Sequence, residues 1–270
     1  MPTVRTSTSP HVAFAVALSL ALVASLGPAR AFLHDTPAAD ANEWVEFEGG
    51  RARLVASREL LTATAALEID LEPGWKTYWI APGPSGIPPE LDASASDNVT
   101  LERVSYPAPI RFQDAYGEGV GYRDEVAFPL DLMIGDSSLD TILNLDATIG
   151  VCAELCVPVT LRFSTPLAAS DPAAANRIAE ARLALPGNGA PLEGSVTGER
   201  IVVTLPKVDE ARDVFIAPPP GTTLGPVTTK GDSASAAIAS GSGEGAWSTI
   251  LRVGSGPLAR VTSHEINVER

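Results

Sequence analysis

Leu143-Asn144-Leu145-Asp146-Ala147-Thr148-Ile149-Gly150-Val151-Cys152, then Ala153-Glu154-Leu155, then Cys156-Val157-Pro158-Val159-Thr160-Leu161-Arg162-Phe163 is the stretch that decides the fold. Leu143, Leu145, Ala147, Ile149 and Val151 alternate with Asn144, Asp146 and Thr148, which is the period of a half-buried strand. Cys-x-x-x-Cys on a helix would stack its sulfurs one turn apart, but that alternation and Pro158 both oppose a helix. The spacing therefore predicts a strand, a tight connection at 153–155 and a returning strand. Parity carries Cys152 to the side of Asn144, Asp146 and Thr148, and Cys156 to the side of Thr160 and Arg162. Both sulfurs are expected on the outer face, within reach of another protein, unless a bulge at the turn flips one of them.

The same period recurs outward from this hairpin. Leu67, Ile69 and Leu71 alternate with Glu68 and Asp70, and further strands are expected at 53–57, 99–104, 127–134, 157–163, 201–205, 214–217 and 249–253. Hydrophobic residues make up 45% of the chain, ample for a core, while 23 Gly and 23 Pro imply many turns and few long helices. A mainly β sandwich suits this pattern better than a parallel sheet. Asp171-Pro172 is an N-cap and first-turn pair, and 173–185 reads as a helix stopped by Pro186-Gly187. The expected organisation is a leader at 1–31, a β-sandwich at 32–167, a helical connector at 168–190 and a second small β lobe at 191–270. Within that lobe, the Gly/Ser/Ala stretch 231–245 reads as a loose loop.

Compartment decides what a cysteine pair can be. Arg5, the apolar run from Val12 to Leu26 and the small-residue pattern Ala29-Arg30-Ala31 resemble a cleavable secretory signal. No later stretch approaches the roughly 20 apolar residues a spanning helix needs. An exported, non-spanning protein is expected, in which the two cysteines are oxidised by default. A formal charge of −14 disfavours nucleic acid and anionic membranes as partners, since binding them relies on Lys and Arg. Only His34 and His264 follow the leader, too few for a His-based metal site or a hydrolase triad. No cofactor and no resident metal are expected.

A disulfide that closes so short a loop gains little as a staple, because its entropic value grows with loop length. Exposed short-loop disulfides are more often the exchangeable ones. All four tyrosines (Tyr78, Tyr106, Tyr116, Tyr122), with Trp75 and Trp79, fall between 75 and 122 among many Pro and Gly residues. Such sequence either packs loops on a core or forms a recognition surface.

Gly74-Trp75-Lys76-Thr77-Tyr78-Trp79, Tyr106-Pro107, Phe112-Gln113-Asp114-Ala115-Tyr116-Gly117, Gly121-Tyr122-Arg123-Asp124 and Cys152 to Cys156 followed by Val157-Pro158 come in an order and spacing that resembles the N-terminal periplasmic domain of DsbD. The resemblance is closest to the ScsB-like branch and covers roughly 45–167. It implies an immunoglobulin-like β-sandwich whose cysteine pair passes reducing equivalents by thiol–disulfide exchange, a protein-disulfide-reductase type of activity in the periplasm. Carried onto this chain, Cys156 forms the mixed disulfide and Cys152 resolves it. Tyr78, Phe112, Asp114, Tyr116 and Tyr122 would surround the pair, with 112–122 acting as a lid. The implied partners are thioredoxin-like periplasmic proteins and a separate membrane electron donor of the DsbD/CcdA type, since no membrane or thioredoxin-like segment follows within the sequence.

Two departures stand out. Better-known members place more residues between the cysteines, and Ala115 stands where they place a shielding Phe, leaving Phe112 or Tyr116 as substitutes. Glu154, between the cysteines, offers no cation to favour a thiolate, so ordinary thiol reactivity is expected. Two functions stay open from sequence: a periplasmic redox relay, and a β-sandwich binding module with a structural disulfide. Binding of Cu(I) by the two thiolates is a lesser alternative.

Overall fold

The chain is described by a computed structural model over residues 38–39, 42–84, 86–114, 117–167, 171–255 and 258–269. The leader read at 1–31 lies outside the described residues.

The first lobe contains β1 (Val45–Phe47), β2 (Gly50–Arg58), β3 (Thr62–Leu71), β4 (Lys76–Tyr78), β5 (Glu90–Asp92), β6 (Val99–Val104), β7 (Ile110–Asp114), β8 (Gly117–Arg123), β9 (Glu125–Ile134), β10 (Ile142–Cys152) and β11 (Cys156–Pro166). One sheet has the order β1-β2-β3-β9-β6 and the other β11-β10-β4-β8-β7, with β5 also paired to β10. The result is the expected immunoglobulin-like sandwich. Alternation explains its core: Leu54, Leu67, Ile69, Phe128 and Leu130 of the first sheet face Leu143, Leu145, Ile149, Val151, Leu161 and Phe163 of the second. The hairpin forms as the opening stretch predicts, with β10 and β11 paired without interruption from Ile142↔Pro166 to Cys152↔Cys156.

Of the first-lobe strands, β1, β4, β5, β7 and β8 were not anticipated. Strands β1, β4 and β5 are three residues long, and β8 carries Gly117, Gly119 and Gly121 at alternate positions, so one face of it shows no hydrophobic signal.

Helix α1 (Pro172–Leu183) begins as predicted, with the Asp171 side chain accepting from the backbone N–H groups of Ala173 and Ala174. Its Ala174, Ile178 and Ala181 pack on Val55 and Ala66, the outward face of the first sheet. A charged pair of clasps fixes it there. Arg182 bonds Asp131, and Arg177 bonds Glu68, which also accepts from Arg53. The Glu68 side chain is 12% exposed, so removing it leaves Arg53 poorly solvated and unpaired with its carboxylate. Glu68→Ala is expected to cost about 1–2 kcal/mol, less than a fully buried pair because Arg177 can hydrate. A urea titration checks this, and an unchanged midpoint would show that the clasp contributes nothing.

The second lobe contains β12 (Gly187–Asn188), β13 (Leu192–Thr197), β14 (Arg200–Thr204), β15 (Arg212–Ala217), β16 (Thr223–Leu224), β17 (Thr228–Lys230), β18 (Ser233–Ser240), β19 (Trp247–Val253) and β20 (Arg260–Glu269). They form a sheet of order β15-β19-β20-β13-β14-β18-β16, with β12 on β20 and β17 on β18. The loose loop expected at 231–245 is instead largely strand β18, which pairs with β14, β16 and β17. Its inward positions are Ala234 and Ala236, fully buried but too small to register as a hydrophobic alternation.

Strand β15 is buried on both faces. Val214 and Ile216 enter the second lobe's own core with Ile201, Val203, Trp247 and Leu251. Phe215 and Ala217 point the other way and join the core of the first sandwich. The described part of Thr36–Arg270 accordingly packs as one compact unit.

Candidate functional site

Cys152 and Cys156 form a disulfide across the last register pair of the β10–β11 hairpin, with Cα atoms 4.1 Å apart. Residues paired directly across strands share a face of the sheet. The register therefore assembles the site as rows on the outer face of the second sheet. One row runs Cys156, Cys152, Lys76, Arg123. The next runs Tyr78, Gly121 and Ile110 in β4, β8 and β7, with Gly150 of β10 beside the Tyr78 ring, while Phe112 lies opposite Gly119.

Parity correctly gives the face of Cys152, but its expected openness is not found. Cys152 is 1% exposed, whereas Cys156 is half-buried. Tyr78 and Phe112 cover the pair, their ring centroids 5.8 Å apart, and together with the cysteines they form a small apolar cluster on the outer face. The hairpin alone would leave both sulfurs in water. Distant residues, from β4 and β7, bring the cover.

Glycines make room for it. A Cβ on Gly150 would lie 3.0 Å from Tyr78 Cδ2, and one on Gly86 2.8 Å from Tyr78 Cδ1, so the ring occupies a slot between two bare backbones. A Cβ on Gly119 would lie 2.3 Å from Phe112 Cε2. In this slot the Tyr78 hydroxyl donates to Cys156 Sγ at 3.1 Å, the oxidised sulfur having no proton to give.

The remaining residues of the expected surround differ in position. Tyr122 faces inward, its hydroxyl donating to the Pro107 carbonyl at 2.9 Å and its ring packed on Phe128, so it supports the sandwich rather than touching the pair. Burial pushes its phenol well above the ordinary range, with Tyr106 adding to the effect, and burial likewise pushes Tyr106 up to about 12. Neither is a base at neutral pH. Asp114 ends β7 opposite Gly117, and Tyr116 lies outside the described residues.

Two cations escaped the sequence reading. Lys76 is only 6% exposed, its Nζ 5.0 Å from the Phe112 centroid, and Arg123 Cζ lies 5.8 Å from the same centroid. Both stand in the row of the cysteines, although neither is near them in sequence. Continuing the alternation backwards from Tyr78 would have placed Lys76 on its face, but nothing local links that face to position 152.

Among the described residues no group of three or more His, Cys, Asp or Glu side chains is placed to hold a metal. No helix among them is long and apolar enough to cross a membrane.

The site is thus a disulfide at the hairpin tip of an immunoglobulin-like sandwich, covered by two aromatic rings. Residues 51–168 match the family described as Thiol:disulfide interchange protein DsbD, N-terminal, in keeping with the resemblance read from the sequence. Among solved structures, the N-terminal periplasmic domain of ScsB from Proteus mirabilis is 22% identical, with a TM-score of 0.61 over 83% of this chain and 97% of that chain. That likeness is one of fold, and it extends beyond residues 51–168. Chimeric titin Z1Z2 matches at 12% identity, 78% of this chain, 90% of that chain and a TM-score of 0.17. InvD of Yersinia pseudotuberculosis matches at 10% identity, 80% of this chain, 58% of that chain and a TM-score of 0.18. Scores this low do not bear on the fold. No curated protein sequence matches the chain.

Proposed function

We propose that this protein is a periplasmic thiol–disulfide exchange protein that relays reducing equivalents through Cys152 and Cys156. The observation that carries this reading is the unequal exposure of the two cysteines under an aromatic cover: Cys156 half-buried, Cys152 at 1%. In the reducing direction a reduced protein presents the Cys156 thiolate, which attacks an acceptor disulfide and expels one acceptor thiolate. Cys152 then attacks Cys156 Sγ, the second acceptor sulfur leaves as thiolate, and the oxidised pair seen here is formed. Cys156 thus makes the mixed disulfide and Cys152 resolves it. The donor runs the same exchange in reverse.

Lys76 is the register partner of Cys152, with Arg123 one strand further, so the fold brings to this row cations that the sequence around Glu154 does not supply. The family match to residues 51–168 supports partners of the thioredoxin-like type and a membrane electron donor of the DsbD/CcdA type. The leader pattern at 1–31 supports periplasmic residence, and the periplasmic domain of ScsB with the same fold is in keeping with it.

Redox titration in glutathione buffers, with free thiols counted by alkylation mass shift, tests the proposal. A potential of roughly −180 to −270 mV, where exchange proteins work, is expected. A pair still oxidised below about −300 mV would be a structural bridge and would overturn it.

A further inference from the structure

We propose that the second lobe holds the aromatic cover over the cysteine pair, with Arg111 and Phe215 as its positioning residues. The proposal deepens the exchange reading of the same site, giving the second lobe a part in setting access to the sulfurs.

Alternation is the starting point. Tyr78 and Phe112 face the cysteines, so their neighbours Trp79 and Arg111 face the opposite side of the sheet. Both neighbours meet the same residue of the second lobe. Phe215, 1% exposed, lies edge-on to Trp79 with centroids 6.1 Å apart, and Arg111 Cζ lies 4.8 Å from the Phe215 centroid. The Trp79 indole Nε1 is buried without a hydrogen-bond partner among the described residues, so this ring is held by packing alone, its edge-on contact with Phe215 included.

Arg111 adds a polar clasp. Its Nε donates to Asp213 Oδ1 at 2.8 Å, one terminal nitrogen donates to the Val214 carbonyl at 2.6 Å, and the other donates to Glu118 Oε1 at 2.6 Å. Two of these three bonds cross to β15. A further one arrives just before β7 begins, where Arg252 of β19 donates to the Pro109 carbonyl at 3.1 Å. The strand that carries Phe112 is thus pinned at positions 109 and 111 by the second lobe, one residue from the ring that shields Cys152 and Cys156. Motion of β7 away from the pair strains the two charge-assisted bonds that Arg111 makes to β15.

The test is the second-order rate constant for reduction of the oxidised full chain by dithiothreitol, together with the alkylation rate of the reduced pair by iodoacetamide. Arg111→Ala and the milder Asp213→Asn are each expected to raise both rates, Arg111→Ala by at least about tenfold, since loss of even one of its two charge-assisted bonds to β15 allows a population shift of that size. Phe112→Ala removes the cover itself and should raise both rates at least as far. Adding Arg111→Ala to Phe112→Ala should then change nothing, because both act through one ring. Rates equal to the unsubstituted protein in folded Asp213→Asn and Arg111→Ala, or a double variant whose effects simply multiply, would overturn the proposal. These rates read shielding of any disulfide, structural or exchanging, so the brace and the exchange function can fail separately.

Discussion

Cys156→Ser is expected to abolish electron transfer to a thioredoxin-like acceptor while leaving the protein folded. Cys156 is the sulfur a partner can reach, half-buried against the 1% of Cys152, so no second route to a mixed disulfide exists at this site. The complementary Cys152→Ser protein keeps the attacking thiol but lacks the resolving one, and should accumulate covalent complexes with its partner. The stability cost of losing the disulfide is bounded by the loop it closes. For a sequence separation of 4 the chain-entropy estimate is about 2 kcal/mol. In a protein of this size that corresponds to a fall in melting temperature of roughly 4–8 °C. Calorimetry and a mass-shift transfer assay measure the two effects side by side. Transfer surviving in Cys156→Ser would sink the assignment of the attacking sulfur, and unfolding of that variant at room temperature would make the bridge a structural one.

Gly121→Ala should be the most damaging small substitution in the sheet that carries the site. A Cβ there would lie 2.0 Å from the Thr77 carbonyl oxygen and 2.8 Å from Tyr78 Cα, both backbone atoms of β4. Backbone cannot rotate out of the way as a side chain can, so β4 and β8 must separate where they pair. Overpacking of this kind costs about 1–3 kcal/mol, and the upper end is expected because the obstacle is rigid. The consequence reaches the disulfide. Tyr78 is the register partner of Gly121 and donates to Cys156 Sγ, so its hydroxyl should leave the sulfur when β4 shifts. The expected outcome is a melting temperature lowered by roughly 6–12 °C together with faster reduction by dithiothreitol. A variant with unchanged stability and unchanged reduction rate would show that β4 can yield without cost, and that the glycine slot does not hold the ring.

The glycines of this site illustrate how much of it was open to sequence reasoning. Gly119, Gly121 and Gly150 look like strand-weakening residues when read locally. They are spaces for Phe112, a neighbouring backbone and Tyr78, which come from segments 7 to 72 positions away in the sequence. No spacing within β8 or β10 announces that. Lys76 and Arg123 are hidden for the same reason, since their relation to Cys152 exists only through the cross-strand register β10, β4, β8. Tyr122 shows the opposite effect. The family resemblance brought it forward as part of the surround, yet its parity in β8 turns it toward Phe128 and the Pro107 carbonyl.

What the sequence determined by itself is whatever depends on nearest neighbours along the chain. The alternation of 143–163 specifies the hairpin and puts both cysteines at its tip, and Asp171-Pro172 specifies where the helix starts, because strand parity and helix capping are local and nearly independent of the rest of the molecule. Access to the sulfurs, the cations beside them and the backing of their aromatic cover by Phe215 were decided only by tertiary structure. Those properties arise from pairing and packing between segments far apart in sequence, and a contact of that kind leaves no periodic trace in either partner.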